Sequence, residues 1–327
     1  MPRVGRYISR LVFCPFSNLE GQWFWDDGEL KPTLSDSRLY MICQRKELLF
    51  EIRETRISND SLQFDLVCGD VRANNVQLPL LQFTVKNGAM LVKAGPKIIK
   101  IFEQSEGSKE VLRYWYTPDK LLFHYWRNEL ELLNPPQYRQ FLDFKLHYVG
   151  ISKTHDSLQR LYDTAHQGRS KILTLEKPMR EGANISDEIT LLLFDFDVSE
   201  LQSTGGEKND IDDLFAPLPD KITVIADAEK AFVKLLNPKY CDQKYQNYPL
   251  SIDGLYNTDL SKYLFTINDP IAIRTDSGVF YGGDFYDNDP EKAPDSISVE
   301  GGEVKRRTFR PTDQNATSPP FPADNQP

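Results

Sequence analysis

The sequence predicts an α+β protein. It divides into an N-terminal antiparallel β-rich module over residues 1–135, a C-terminal small α/β sandwich domain over 136–283, and an acidic tail over 284–327. Three observations carry this reading. From about Leu39 to Trp126, short segments rich in β-branched and aromatic residues follow one another: "RLYMIC", "ELLFEI", "LQFDLV", "LLQFTV", "AMLVKAG", "KIIKIF", "VLRYWY" and "KLLFHYW". Turn material ("SNDS", "KNG", "EGS", "TPDK") separates them, the pattern of an antiparallel sandwich or barrel-like module. The two prolines of "ELLNPPQYRQ" then end that pattern. Beyond Asp284 the chain is acidic, passes through "KRRTFR", and becomes rich in Pro, Asn and Asp without periodicity, which predicts disorder.

The first 38 residues are assigned to the β-rich module, with Trp23, Phe24 and Trp25 in its core. After the boundary a strand is expected over Asp143–Ile151 and a helix over about Ser157–Ala165. A second short helix (Ser170–Leu175) and the strong apolar strand "EITLLLFDFD" follow. Another helix begins near Asp220 and runs to Leu236, stopped by Pro238. "YLFTIND" and "IAIRTDSGVFYGG" read as a strand pair with a turn.

A chain of 327 residues has room for two cores, and 40% hydrophobic with 27% charged residues is ordinary for a globular protein. The net charge of −9 argues against coating nucleic acid through bulk electrostatics. Locally the sign reverses. Between Lys145 and Leu175, five cations (Lys145, Lys153, Arg160, Arg169, Lys171) face only Asp156 and Asp163. The scattered cysteines (Cys14, Cys43, Cys68, Cys241) offer no zinc spacing and read as reduced thiols of a cytoplasmic protein. No run approaches the ~20 apolar residues of a spanning helix, so no membrane partner is expected.

The stretch "HYVGISKTHDSLQRLYDTAH" resembles the second half of the GIY-YIG endonuclease signature. "YVG" at Tyr148–Gly150 stands for that family's YIG strand. Arg160 takes the place of its catalytic arginine, and His166 that of a histidine found in several branches. "DAEKAFVKLLNPKY" resembles the helix with the metal-binding glutamate, with Glu229 in that position and Pro238 as the following proline. The sequence departs from the pattern in two places. No Gly-Ile-Tyr lies about ten residues before Tyr148, a spacing taken from the family motif, and the family's asparagine falls at or beside Cys241. The resemblance covers roughly Asp143–Tyr245. It implies a GIY-YIG-like fold for the C-terminal domain and metal-dependent hydrolysis of DNA, in settings such as restriction, repair or anti-phage defence. Glu229 would hold Mg²⁺ or Mn²⁺, Arg160 a phosphate oxygen, and Tyr148, with Lys153 or His166 nearby, would orient or deprotonate the attacking water. Lys153 is the cation expected to lower the tyrosine's pKa. The N-terminal module would choose the target or a protein partner.

Helix geometry bears on two of these residues. Around Glu229, the apolar Ile222, Ile225, Phe232, Val233 and Leu236 fall on one face at ~100° per residue, with Glu229 among them. A carboxylate there calls for a cation or for hydrogen-bond donors. Arg160 falls opposite Leu158, Leu161, Tyr162 and Ala165, on the solvent side. Two other readings stand beside the nuclease. One is a catalytically degenerate nuclease fold kept for binding. The other is a haloacid-dehalogenase-type phosphatase using Asp195 and Asp197, with Asp284 and Asp289 as its late acidic motif.

Overall fold

The computed structural model describes residues 3–52, 57–58, 60–86, 88–104, 110–154, 156–163, 166–200, 219–284 and 292–308. It is mixed α/β, with several sheets. The chain opens with β1 (Arg3–Leu11), β2 (Phe16–Ser17), α1 (Asn18–Asp26), α2 (Lys31–Ser35) and β3 (Leu39–Gln44). Ser17 starts α1 through a capping box: its hydroxyl accepts from Glu20 N–H, while the Glu20 carboxylate accepts from Ser17 N–H. All six residues of β3 are buried, as expected of an apolar strand enclosed on both faces.

The inserted β-rich part follows: β4 (Leu48–Glu51), β5 (Ile57–Ser58), β6 (Ser61–Cys68), β7 (Val71–Pro79), β8 (Ala89–Ala94), β9 (Ile99–Gln104), β10 (Val111–Tyr116) and α3 (Pro118–Trp126). They form two small antiparallel sheets, one of β4–β7 and one of β8–β10, around a core of their own that includes Phe50, Phe64, Leu78, Ile101 and Leu121. Two segments differ from the sequence reading. "LLQFTV" begins with a 3-10 turn, and the preceding strand is the polar β7. "KLLFHYW" is the helix α3, because Thr117 caps Lys120 N–H and Pro118 sits at the first helical position; "TPDK" is a helix start rather than a turn.

The remaining elements are β11 (Asp143–Ile151), α4 (Ser157–Tyr162), α5 (Gln167–Leu175), α6 (Ile185–Glu188), β12 (Ile189–Glu200), α7 (Lys221–Leu236), β13 (Leu260–Ile267), β14 (Ala272–Thr275), β15 (Gly278–Tyr281), β16 (Ser296–Glu300) and β17 (Glu303–Arg307). One ten-stranded sheet gathers both ends of the chain in the order β15-β14-β11-β3-β12-β1-β13-β16-β17, with β2 added to β12. The expected boundary at residue 135 is therefore corrected: β1, β2 and β3 belong to the sheet of the C-terminal half, and only the middle of the N-terminal region has a separate core. Phe24 and Trp25 pack with the large-sheet core, whereas Trp23 is 62% exposed. The tail is corrected in the same way. β16 and β17 close one edge of the sheet, and residues 309–327 lie outside the described residues. The strand pair expected around Leu260–Tyr281 is the β14–β15 hairpin, while β13 lies parallel to β1.

The helix α7 forms as expected. Asp220 caps Ile222 and Thr223 N–H, and Asn237, in the left-handed region at φ 47°, ends it before Pro238. It packs on β11, β12, β16 and β17. Ile222, expected on its buried stripe, is 57% exposed in the first turn.

Candidate functional site

The site is organised by the pairing of β3 with β11. Their antiparallel register runs Leu146↔Cys43, Tyr148↔Ile42 and Gly150↔Tyr40, so His147 is an extra, bulged residue. Directly opposed residues share a face and successive residues alternate. The bulge thus moves Tyr148 off the face of Leu146 and onto the face of Tyr40 and Gly150. The two phenol rings lie stacked, 6.1 Å apart and 19° from parallel. Gly150 makes room for them: a Cβ there would lie 2.6 Å from Tyr148 Cε1 and 2.7 Å from Tyr40 Oη.

Sequence reasoning found no first signature strand near Tyr148. In the fold, the partner of the "YVG" strand is β3, with the insertion between the two, and it contributes Tyr40. The available signal was a tyrosine in the apolar run "RLYMIC", which sequence distance placed in another domain.

His166 does not end the preceding helix. It is the N-cap of α5, and its Nδ1 accepts from Arg169 N–H at 2.9 Å. Burial pushes its pKa down to about 4, helped by the charges of Arg160 and Arg169, so the ring is neutral around pH 7. With Nδ1 accepting, the proton sits on Nε2, which donates to Tyr40 Oη at 2.8 Å. Both phenol rings also meet the His166 ring edge to face, at 5.6 Å for Tyr40 and 5.1 Å for Tyr148.

The adjoining cavity has a volume of about 350 Å³, and Tyr148, Arg160, His166, Glu229 and Tyr245 are among its lining residues. Four of the five residues singled out from sequence are therefore brought together. Arg160 is exposed, as its helix position predicted, yet it borders the cavity, and its charge acts on Tyr40, Tyr148 and His166. Glu229 is half-buried. Desolvation raises its pKa to about 7, against the lowering effects of the Tyr245 hydroxyl (3.2 Å from Oε2), Lys153 and Lys230. Its other carboxylate oxygen has no protein partner among the described residues.

Lys153 departs from its expected role. Its ammonium pairs with Asp253 at 2.8 Å and acts electrostatically on Glu229. Burial, Cys241 and Glu229 push the Tyr148 phenol up to about 12, so the expected lowering by Lys153 does not occur. At neutral pH Tyr148 is a hydrogen-bond donor rather than a base.

Cys241, where the resemblance calls for asparagine, holds the part of β11 that extends beyond its pairing with β14. Val149 N–H donates to its sulfur at 3.4 Å and its thiol donates to Val149 O at 3.3 Å, while Tyr240 N–H donates to His147 O at 3.0 Å. Part of the local positive charge is also paired, Lys171 with Asp242 and Lys239 with Glu176, while Arg169 is held by hydrogen bonds to Asn18 and Leu161 O. His147 is buried and hydrogen-bonded to Gln44 at 3.0 Å.

No group of three or more His, Cys, Asp or Glu side chains stands ready to hold a metal among the described residues. The donor set is one desolvated carboxylate facing a phosphate-sized cavity. That suits Mg²⁺, which keeps several waters and completes its shell with one or two carboxylates and substrate phosphate oxygens. All four cysteines are free and buried. No helix among the described residues is long and apolar enough to cross a membrane. For the phosphatase reading, β12 runs antiparallel to both β1 and β3, so Asp195 and Asp197 do not sit on a doubly wound parallel sheet. Asp195 instead pairs with Lys221 at 2.6 Å. Asp289 lies outside the described residues.

Compared with known proteins, the chain gives no match: no family model fits it, and neither curated proteins nor solved structures match.

Proposed function

We propose that this protein is a divalent-metal-dependent endonuclease that hydrolyses phosphodiester bonds of DNA, with a catalytic arrangement similar to that of GIY-YIG enzymes. One observation carries the reading: Tyr148, Arg160, His166 and Glu229, from separate stretches of chain, line a single cavity. Glu229 would hold Mg²⁺ or Mn²⁺; when bound, such an ion stabilises the negative charge that builds on the phosphorane and the departing oxygen.

The protein's own groups supply the rest. Arg160 presents its planar guanidinium to a non-bridging phosphate oxygen. Tyr148, kept protonated by burial, donates its hydrogen bond to the attacking water or the phosphate and holds it in line. His166, neutral and fixed as the Nε2–H tautomer, holds Tyr40 by a hydrogen bond and packs edge-on against Tyr148, which positions that phenol. The module inserted between β3 and β11 is the proposed carrier of target or partner choice.

The test is incubation of the purified protein with plasmid DNA and Mg²⁺ or Mn²⁺, beside Glu229→Ala and Arg160→Ala. Nicking that both substitutions abolish is the expected result. Cleavage indifferent to either removes this site assignment, and DNA binding without cleavage favours a degenerate binding fold.

A further inference from the structure

The segment over residues 245–258 begins at Tyr245, which bonds Glu229, and exposes three large apolar side chains. Leu250 is 61% exposed, Ile252 100% and Tyr256 41%. Scattered exposed apolar residues are normal on any surface. These three sit on a loop that is firmly held. Asp227, buried in α7, accepts from Tyr248 Oη at 2.7 Å and from Leu255 N–H at 3.0 Å. Asp253, one residue past the tip, receives Lys153 at 2.8 Å and Lys230 at 2.5 Å. A Cβ on Gly254 would lie 2.2 Å from Asp227 Oδ1, so the loop lies directly against α7.

Tyr245 at the start of the loop lines the cavity and Asp253 near its tip acts electrostatically on Glu229, so the exposed apolar tip is held beside the cavity. The chemistry around the tip names the class. Lys153 is met by Asp253, whereas among the described residues Lys234, exposed at the base of the loop, donates only to the neutral Gln246 O at 2.9 Å and Lys244 only to Pro238 O, so their charges are not neutralised by those partners. Cations below an aliphatic tip complement a polyanion that carries apolar base faces between its charges. We propose that residues 250–256 form a rigid apolar wedge, with Ile252 at its point, that enters the base stack of duplex DNA beside the scissile phosphate and opens one step. This deepens the nuclease reading and rests on it.

The proposal is tested with the full-length chain in EDTA and a duplex carrying 2-aminopurine, reading fluorescence for unstacking and anisotropy for binding, with cleavage in Mg²⁺ measured separately. The expected result is a fluorescence rise on binding of wild type that Ile252→Ser loses. The variant should bind intact duplex about 10-fold more weakly, but within about 3-fold of wild type on a duplex with an abasic gap, where the step is already open. Because Ile252 is wholly exposed, the variant is expected to keep its thermal midpoint. Binding by wild type without a fluorescence rise overturns the wedge and leaves the nuclease reading intact if cleavage persists. A change of oligomeric state in Ile252→Ser, with unstacking unaltered, also overturns it and makes the patch a contact between copies. Absence of both binding and cleavage removes the nuclease reading and the wedge together.

Discussion

Replacing Glu229 by glutamine tests the electrostatics of the site without assuming any activity. Glutamine keeps the shape and the Tyr245 bond but cannot ionise. The wild-type carboxyl titrates at about 7 in the folded protein against an ordinary 4.5, chiefly because it is desolvated. A folded-state pKa raised above the unfolded value gives stability that is complete below pH 4.5 and is lost as pH climbs through 7. At about 1.4 kcal/mol per pH unit, the interval between the two values is worth about 3 kcal/mol. The two proteins should therefore be equally stable near pH 4.5, and the variant should gain by up to about 3 kcal/mol at pH 8. Urea-unfolding midpoints measured across this range give the difference directly. Millimolar Mg²⁺ should narrow the gap at pH 8 by stabilising wild type alone, through mass action on the native state. A gap that does not vary with pH, or a wild type that is the more stable at pH 8, refutes the reasoning.

Four further substitutions address other parts of the site. Gly150→Ala places a Cβ against both phenols and should cost about 1–3 kcal/mol of stability, as overpacking does, with cleavage falling further than the lost folded fraction explains. Tyr40→Phe leaves His166 Nε2–H without its acceptor and should cost about 1–3 kcal/mol; kcat should fall while KM holds, and unchanged kcat shows that the His166–Tyr40 bond does not position Tyr148. Arg160→Ala, at an exposed position, should leave the thermal midpoint within a degree or two while cleavage drops by about 10²–10³, the scale of one lost oxyanion donor. His147 and His166 titrate at about 4 in the fold against 6.5, because burial disfavours their charged forms. Their contribution to stability is present above pH 6.5 and lost as pH falls through 4, so unfolding midpoints should decline over that window. His147→Gln should flatten the decline.

Some of this structure was legible in the sequence and some was not, for identifiable reasons. Helix α7 and strands β11 and β12 were readable because local signals agree: Asp220 caps, Pro238 stops, and the apolar runs are long. Arg160 and Glu229 could be placed because each lies on a helix whose periodicity fixes its face. The failures were cases where tertiary pairing decides. "KLLFHYW" has strand composition, but the three residues before it start a helix. Charged β17 reads as tail because its strand character comes from its pairing with β16. Tyr245 and Asp253 reach Glu229 and Lys153 from a segment with no periodicity at all.

The pairing of β3 with β11 across a long insertion has a simple physical basis. β3 and β11 make the pairing that a tight hairpin would make, with Gln44 opposite Lys145 where the chain leaves one strand and enters the other. Residues 45–144 fill the interval. Loop-closure entropy grows only logarithmically with length, about 0.6 kcal/mol per doubling, so even a long insertion adds little to the cost of pairing the strands. The cost falls further when the insertion folds on a core of its own, since its ends are then held near each other rather than wandering. What the site requires is the register that sets Tyr40 opposite Gly150 and the bulge at His147 that turns Tyr148 towards it. Neither depends on how many residues separate the two strands. A search by sequence spacing alone cannot find such a pairing, because the register is set by the sheet and not by the length between its strands.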